Sequence, residues 1–328
     1  MTNAGLLFSD SPLNTFNAWL YQFRMPAIAL VLGLFIARGV EKYGAWGYIR
    51  RRLVYAVYLY LIWYVLQMGV EVATSSLKNT PTTLEDAMRF WVPPAQLWFI
   101  PFLAVSTILV TVTRPWTRWG LITLPLLAGA SAALWGAAPN VIGLRGIALV
   151  GFTALGSAIG VARFGTWLRE RRLLATGTGV VALLTSLPFL GRELLPATAW
   201  NRAITGSLIE QPVLLPSMTL AVLGLILLGG LGAACGAVPG LNRALAFTGR
   251  STLPIFLAHI IVVAGARIVL TRLGLTEPIS LVVVLMLLGV LVPLAADRLV
   301  RGTPLAAVFE PPAALLHTVA PARPVAQW

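Results

Sequence analysis

Residues 279–301 read ISLVVVLMLLGVLVPLAADRLVR, and the first 18 of them carry no charge. A bilayer's hydrocarbon core, about 30 Å thick, takes about 20 such residues as one helix. The run closes on Asp297, Arg298 and Arg301, where the chain can leave the hydrocarbon. The same window, moved outward along the chain, predicts nine spans, near 18–37, 53–73, 97–113, 119–137, 143–162, 173–190, 213–237, 252–270 and 279–297. The expected fold class is all-α, a polytopic membrane helix bundle of about nine transmembrane helices. Composition agrees: 58% of the 328 residues are hydrophobic and 11% charged, against about 25% charged in a soluble domain. Mean hydropathy is +0.85. So few polar side chains cannot cover a water-soluble exterior, and so many apolar ones exclude disorder.

The charges then orient the bundle. Lys+Arg number 24 against 11 Asp+Glu, a net +13 that alone would suit nucleic acid or a membrane face. With the first loop placed in the cytoplasm, that side gathers +12 and everything else +1. Such a split is the positive-inside pattern, which removes nucleic acid as a partner. The expectation is an N-terminus outside, a C-terminus in the cytoplasm, and a multi-pass location in the plasma (inner) membrane. Cys235 is the single cysteine, and His259 and His317 are the two histidines. No internal disulfide and no cysteine- or histidine-rich metal site is available. The first residues lack a basic stretch followed by an apolar core and a small-residue cleavage site, so no secretory signal peptide is expected.

Three divisions follow: residues 1–17 as an extracytoplasmic N-terminal segment, 18–300 as the transmembrane domain, and 301–328 as a Pro-rich cytoplasmic tail. Pro304, Pro311, Pro312, Pro321 and Pro324 predict a disordered end. In residues 81–93, Thr82 and Glu85 fit a capping box, with Leu84, Met88 and Trp91 on one face of a short interfacial helix. No internal repeat is evident, which weighs against an inverted-repeat transporter.

Ionisable groups inside spans are costly, so each is a functional candidate. His259, about eight residues into its helix, suits a general base or a hydrogen-bonding anchor. Arg24, Glu71 and Arg145, with Gln96 and Trp98 opening the third helix, share one outer layer by depth. Functionally they would line a polar cavity for a sugar or an anionic head group. The plain alternative for an arginine near a helix end, Arg145 included, is snorkelling to the interface. Arg50, Arg51 and Arg52 open the second helix, either to set topology and meet anionic lipid or to dock the phosphates of an acyl donor. Soluble-enzyme patterns fail: there is no phosphate-binding glycine loop with its lysine and no nucleophile-elbow serine. Gly229, Gly230 and Gly232 lie in an apolar helix, where close helix packing accounts for them.

An ordered set of local motifs resembles the acyltransferase-3 family of membrane acyltransferases. Phe23-Arg24-Met25-Pro26 looks like the family's Phe-His-Met-Pro segment, followed by Leu34-Phe35-Ile36-Ala37-Arg38 and Glu41-Lys42-Tyr43-Gly44. Arg50-Arg51-Arg52-Leu53 and Leu97-Trp98-Phe99-Ile100-Pro101 continue the likeness. Gly249 to His259 resembles the late stretch that ends Leu-Leu-His. The resemblance implies acyl transfer, often of acetyl from acetyl-CoA, to a hydroxyl of a glycan or lipid-linked sugar at the outer face. It also implies ten helices, the first carrying an arginine and, eleven positions later, a histidine. That pair is absent here, since Thr248 and Ala306 stand eleven positions before His259 and His317, and Arg24 stands where the family has histidine.

The expected function is therefore an O-acyltransferase of a cell-envelope glycan or glycolipid. It would bind no cofactor and no metal, and would use acetyl-CoA or another acyl-CoA as co-substrate. His259 is the candidate catalytic group; Arg24, Trp98, Arg145 and Glu71 the substrate-binding set; Arg50, Arg51 and Arg52 the acyl-donor set. Membrane lipid, the glycan acceptor and a helical protein partner are the expected contacts. A start codon upstream of Met1 would restore the missing helix. Two alternatives lack the transfer chemistry: a flippase or exporter of a lipid-linked sugar, and a non-catalytic membrane subunit.

Overall fold

The computed structural model describes residues 12–75, 82–200, 202 and 212–319. Among these, every regular element is helical and there is no strand. In chain order the α-helices are α1 (Pro12–Leu34), α2 (Ile36–Tyr43), α3 (Ala45–Ala73), α4 (Leu84–Met88), α5 (Phe99–Thr113), α6 (Gly120–Ala133), α7 (Val150–Ile159), α8 (Val161–Glu170), α9 (Arg172–Ser186), α10 (Leu214–Gly236), α11 (Pro239–Arg250), α12 (Thr252–Arg272), α13 (Pro278–Val300) and α14 (Ala313–Val319). Each of the nine apolar windows contains a helix. Six are long and apolar enough to cross a membrane: α1 with α2, α3, α9 with the turn following it, α10, α12 and α13. A seventh is counted only if residues Ile147–Ile159 and Val161–Glu170, bent by 74° at Gly160, form one span. The other two, α5 and α6, have 15 and 14 residues and rise only about 22 Å. Helix length by itself thus supports six or seven crossings.

The outer surface of the bundle is apolar. Val57, Leu61 and Val65, four residues apart on α3, are exposed, as are Val283, Met286 and Leu287 on α13. Their opposite faces carry the core: Leu59, Tyr60, Trp63, Tyr64, Gln67 and Met68 of α3 are buried at three- and four-residue spacing. A helix apolar on both faces suits lipid on one side and protein on the other. Glycines set the closest approaches. A Cβ on Gly33 of α1 would strike the Thr153 carbonyl of α7, and one on Gly156 would strike Leu30. Gly179 of α9 likewise meets Gly230 of α10 backbone to backbone, whereas Gly229 and Gly232 face open space. Close packing therefore explains one glycine of that triplet.

Three sequence expectations are corrected. Helix α1 starts at Pro12, so residues 12–17 are continuous with the first apolar helix; residues 1–11 lie outside the described residues. The capping box of α4 is Thr83 with Asp86, one position beyond Thr82 and Glu85: Asp86 N–H donates to Thr83 Oγ1 and Thr83 N–H to Asp86 Oδ2. Residues 304–316 are ordered rather than loose. Pro304–Val308 forms a 3-10 helix against α3, where Tyr58 Oη and Trp63 Nε1 donate to the Ala307 and Val308 carbonyls at 2.9 and 2.8 Å. Phe309 is buried on the Trp63 ring. Proline's fixed φ favours an extended or 3-10 path without preventing docking, and a greasy groove on α3 supplies the burial that holds it. The prolines at 321 and 324 lie outside the described residues.

Candidate functional site

His259 sits on α12, whose start is pinned to the end of α13. The Ser251 hydroxyl donates to buried Asp297, which also pairs with Arg301. The His259 Nδ1 lies 2.8 Å from the Phe256 carbonyl and 3.0 Å from that of Ile255. Carbonyl oxygens only accept, so Nδ1 carries the proton and a neutral ring keeps its lone pair on Nε2. The Phe256 ring joins α12 to α5, 5.4 Å from Phe99 and 6.1 Å from the His259 ring. Arg24 on α1 interacts electrostatically with His259, and its guanidinium lies 5.0 Å from the Tyr21 ring. Arg24 is exposed and is not enclosed in a cavity.

Trp98 and Arg145 meet beside this pair. Gln96, buried just before α5, donates through Nε2 to the Leu257 carbonyl and ties the α5 entrance to α12. Gly146 (φ 84°) lets the preceding loop lie flat on Trp98, whose ring a Cβ would strike. That loop places Arg145 with its guanidinium 5.3 Å from the Trp98 ring and 4.1 Å from the Trp200 ring. Only 8% of Arg145 is exposed. It does not snorkel: an interfacial arginine keeps its head in water, and this one is held between two indoles. Trp200 is fixed by a second loop stitched to the first. Trp135 Nε1 donates to Leu195, Gly136 N–H to Ala197, Arg202 N–H to Gly136, and the Arg202 side chain to Ala133 and Trp135.

The arginine triplet lies toward the other end of α3. Arg50 is exposed. Arg51 rests 5.0 Å from the Tyr43 ring and reaches the Leu316 carbonyl at 3.5 Å; Arg52 rests 5.2 Å from the Tyr48 ring and donates through Nε to its hydroxyl at 3.1 Å. Together Tyr43, Tyr48, Arg51, Arg52 and Tyr55 line a cavity of about 270 Å³. Two of the three arginines therefore face one site and Arg50 does not.

Glu71 is half-buried in the last turn of α3. Tyr21, Asn140 and Trp200 at one end, and Tyr43, Tyr48 and Tyr55 at the other, were not marked by sequence reasoning. Tyr48 had a signal, standing one helical turn before Arg52. Trp200 had none, lying in an irregular loop 55 residues from its arginine. Among the described residues no three His, Cys, Asp or Glu side chains gather to hold a metal ion.

A family model described as an acyltransferase domain, that of acyltransferase-3, matches residues 3–298. Comparison with curated proteins and with solved structures gave no match.

Proposed function

Because the chain belongs to the acyltransferase-3 family, we propose that it is a membrane O-acyltransferase. It moves an acyl group, acetyl first among candidates, from an acyl-CoA to a hydroxyl of a cell-envelope glycan or glycolipid. On this reading all nine apolar helices lie in the plasma (inner) membrane, with the N-terminus outside and the arginine triplet in the cytoplasm. The segregation of +12 to one face supports that orientation.

The two ends of the bundle then divide the labour. At the cytoplasmic end, Arg51 and Arg52 offer guanidinium groups to the phosphates of the donor, and the tyrosines of the same cavity offer rings to its base. Trp98 and Arg145 hold the acceptor at the outer end. Between them His259 Nε2 takes the proton from the acceptor hydroxyl as that oxygen attacks the thioester carbonyl. The carbon–sulfur bond breaks, the acyl ester forms, and the thiolate of CoA leaves and takes up the proton from His259. The Arg24 charge stabilises the oxyanion that develops on the thioester carbonyl.

One observation carries this reading: the Nδ1 proton of His259 is spent on its own helix, leaving the Nε2 lone pair of a neutral ring available, with Arg24 in electrostatic reach. The test is transfer of labelled acetyl from acetyl-CoA by the purified protein in nanodiscs supplied with envelope glycolipids. Wild type transfers label, and His259→Ala lowers the rate by about 100-fold or more, the usual size of general-base catalysis. Full activity in His259→Ala removes the base, and wild-type movement of a lipid-linked sugar with no acetyl-CoA consumed replaces the reading with a flippase.

A further inference from the structure

Arg145 is a buried cation without an anion. Its guanidinium lies over the Trp98 and Trp200 rings, and hydrogen bonds are made in the guanidinium plane, at its edges. One edge is used: Nη1 donates to Asn140 Oδ1, a neutral amide, at 3.1 Å. Nε is buried and has no acceptor. No carboxylate of the described residues lies within ion-pairing distance of Arg145. Elsewhere, Glu85 pairs with Arg89, Asp86 belongs to the α4 cap, and Glu277 accepts from the N–H groups of Ile279 and Ser280 at the start of α13.

A buried arginine missing its partner is costly, because an unpaired buried charge forfeits hydration without recovering it. Indole faces recover part of that loss and leave the donor edge unsatisfied. The Nε–Nη2 edge of a guanidinium is the fork that matches two oxygens of one acid. A second positive charge stands close by. Arg24 lies on the Tyr21 ring; Tyr21 interacts electrostatically with Arg145, and its hydroxyl accepts from Thr198 of the loop that carries Trp200.

We propose that the acceptor is itself an acid, a sugar bearing a phosphate or a carboxylate, whose two oxygens sit on the Nε–Nη2 edge of Arg145 between Trp98 and Trp200. The inference rests on the reading that this end of the bundle takes the acceptor. A neutral glycan would leave the fork empty. An acidic one supplies the missing counter-ion and turns its hydroxyls toward Arg24 and His259.

The test is binding without any acyl donor, so it stands or falls apart from the transfer assay. The protein in nanodiscs is titrated at matched ionic strength with glucose 1-phosphate, glucuronic acid and glucose. The expected result is an acidic probe binding at least about tenfold tighter than glucose, the order of one charge-assisted pair. A preference for glucose 1-phosphate identifies a phosphate-bearing acceptor, and one for glucuronic acid a carboxylate-bearing one. Arg145→Gln abolishes the preference. Asn140→Asp is the decisive second variant, because it gives Arg145 a carboxylate in place: the protein folds with an unchanged or raised Tm while the preference falls about tenfold. Equal binding of all three probes, or a full acid preference in Asn140→Asp, overturns the proposal. Transfer of acetyl to a neutral glycan with no such preference would leave the acyltransferase reading standing and this one lost.

Discussion

The two ends of the molecule both hold arginine on aromatic rings and differ in how they treat water. Arg145 is nearly sealed between two indoles, in a site made by two loops tied together through Trp135, Gly136 and Arg202. Arg51 and Arg52 are half-buried on tyrosines, in an open cavity formed mostly by one helix and its approach. Desolvation makes a charge expensive to leave unpaired and therefore selective, whereas a hydrated charge is cheap and permissive. The sealed end is built to discriminate, and the open end to attract.

The largest effect tests what supports the open end. Removal of residues 304–328 strips Phe309 from Trp63 and leaves the Tyr58 hydroxyl and the Trp63 N–H without acceptors. A loss of about 4 kcal/mol is expected from one buried aromatic and two orphaned donors, measured as a fall in the unfolding midpoint. An unchanged midpoint would show the docked segment to be incidental. Next is Trp200→Ala, which opens one face of Arg145 and should cost about 1–2 kcal/mol of stability. If the sealed end differs from the open one as described, acceptor affinity falls with it while the KM for acyl-CoA holds.

The paired substitution Arg51→Gln with Arg52→Gln should leave stability within about 0.5 kcal/mol. It should raise the KM for acyl-CoA about tenfold at low salt, and the gap should narrow in 0.5 M salt as screening grows. A salt-independent change would erase the contrast between the two ends. The smallest effect lies at α4. Hydrogen bonds from Thr83, its hydroxyl and then its backbone, hold the Asp86 carboxyl below its ordinary value of 3.8. A lowered folded value means the cap contributes fully above the unfolded pKa and is lost as pH falls through the folded one. Amide exchange at Thr83 and Asp86 should therefore quicken below about pH 4, while both arginine sites keep their protection.

Legibility from the chain was uneven, for reasons visible in particular residues. Apolar period and window length place a helix in each of the nine windows, because the bilayer demands about 20 apolar residues wherever a chain crosses it, though six or seven of them are long enough to cross. They do not say that α5 stops after 15 residues, since the left-handed cap at Arg114 and the packed loop before Trp98 are tertiary outcomes. Depth places Trp98, Arg145 and Arg24 in one layer but cannot distinguish a snorkelling arginine from one held on indole rings. Proline content marks 301–328 as unstructured, yet the groove on α3 that receives Phe309 is not encoded near the prolines. The Gly229–Gly232 run shows the same limit: composition marks a packing surface, and only the α9–α10 contact selects Gly230.

By itself, then, the sequence determined solvent, the all-helical class and the family motifs, since hydropathy and charge act locally and sum along the chain. Tertiary structure alone decided the chemistry of the charges: that Arg145 has rings and no acid, that Arg51 and Arg52 share a cavity with three tyrosines, and that His259 keeps Nε2 free. The physical reason is that the state of an ionisable group depends on its neighbours within a few ångströms, and in this bundle those neighbours are brought by segments as far apart as Trp98, Arg145 and Trp200.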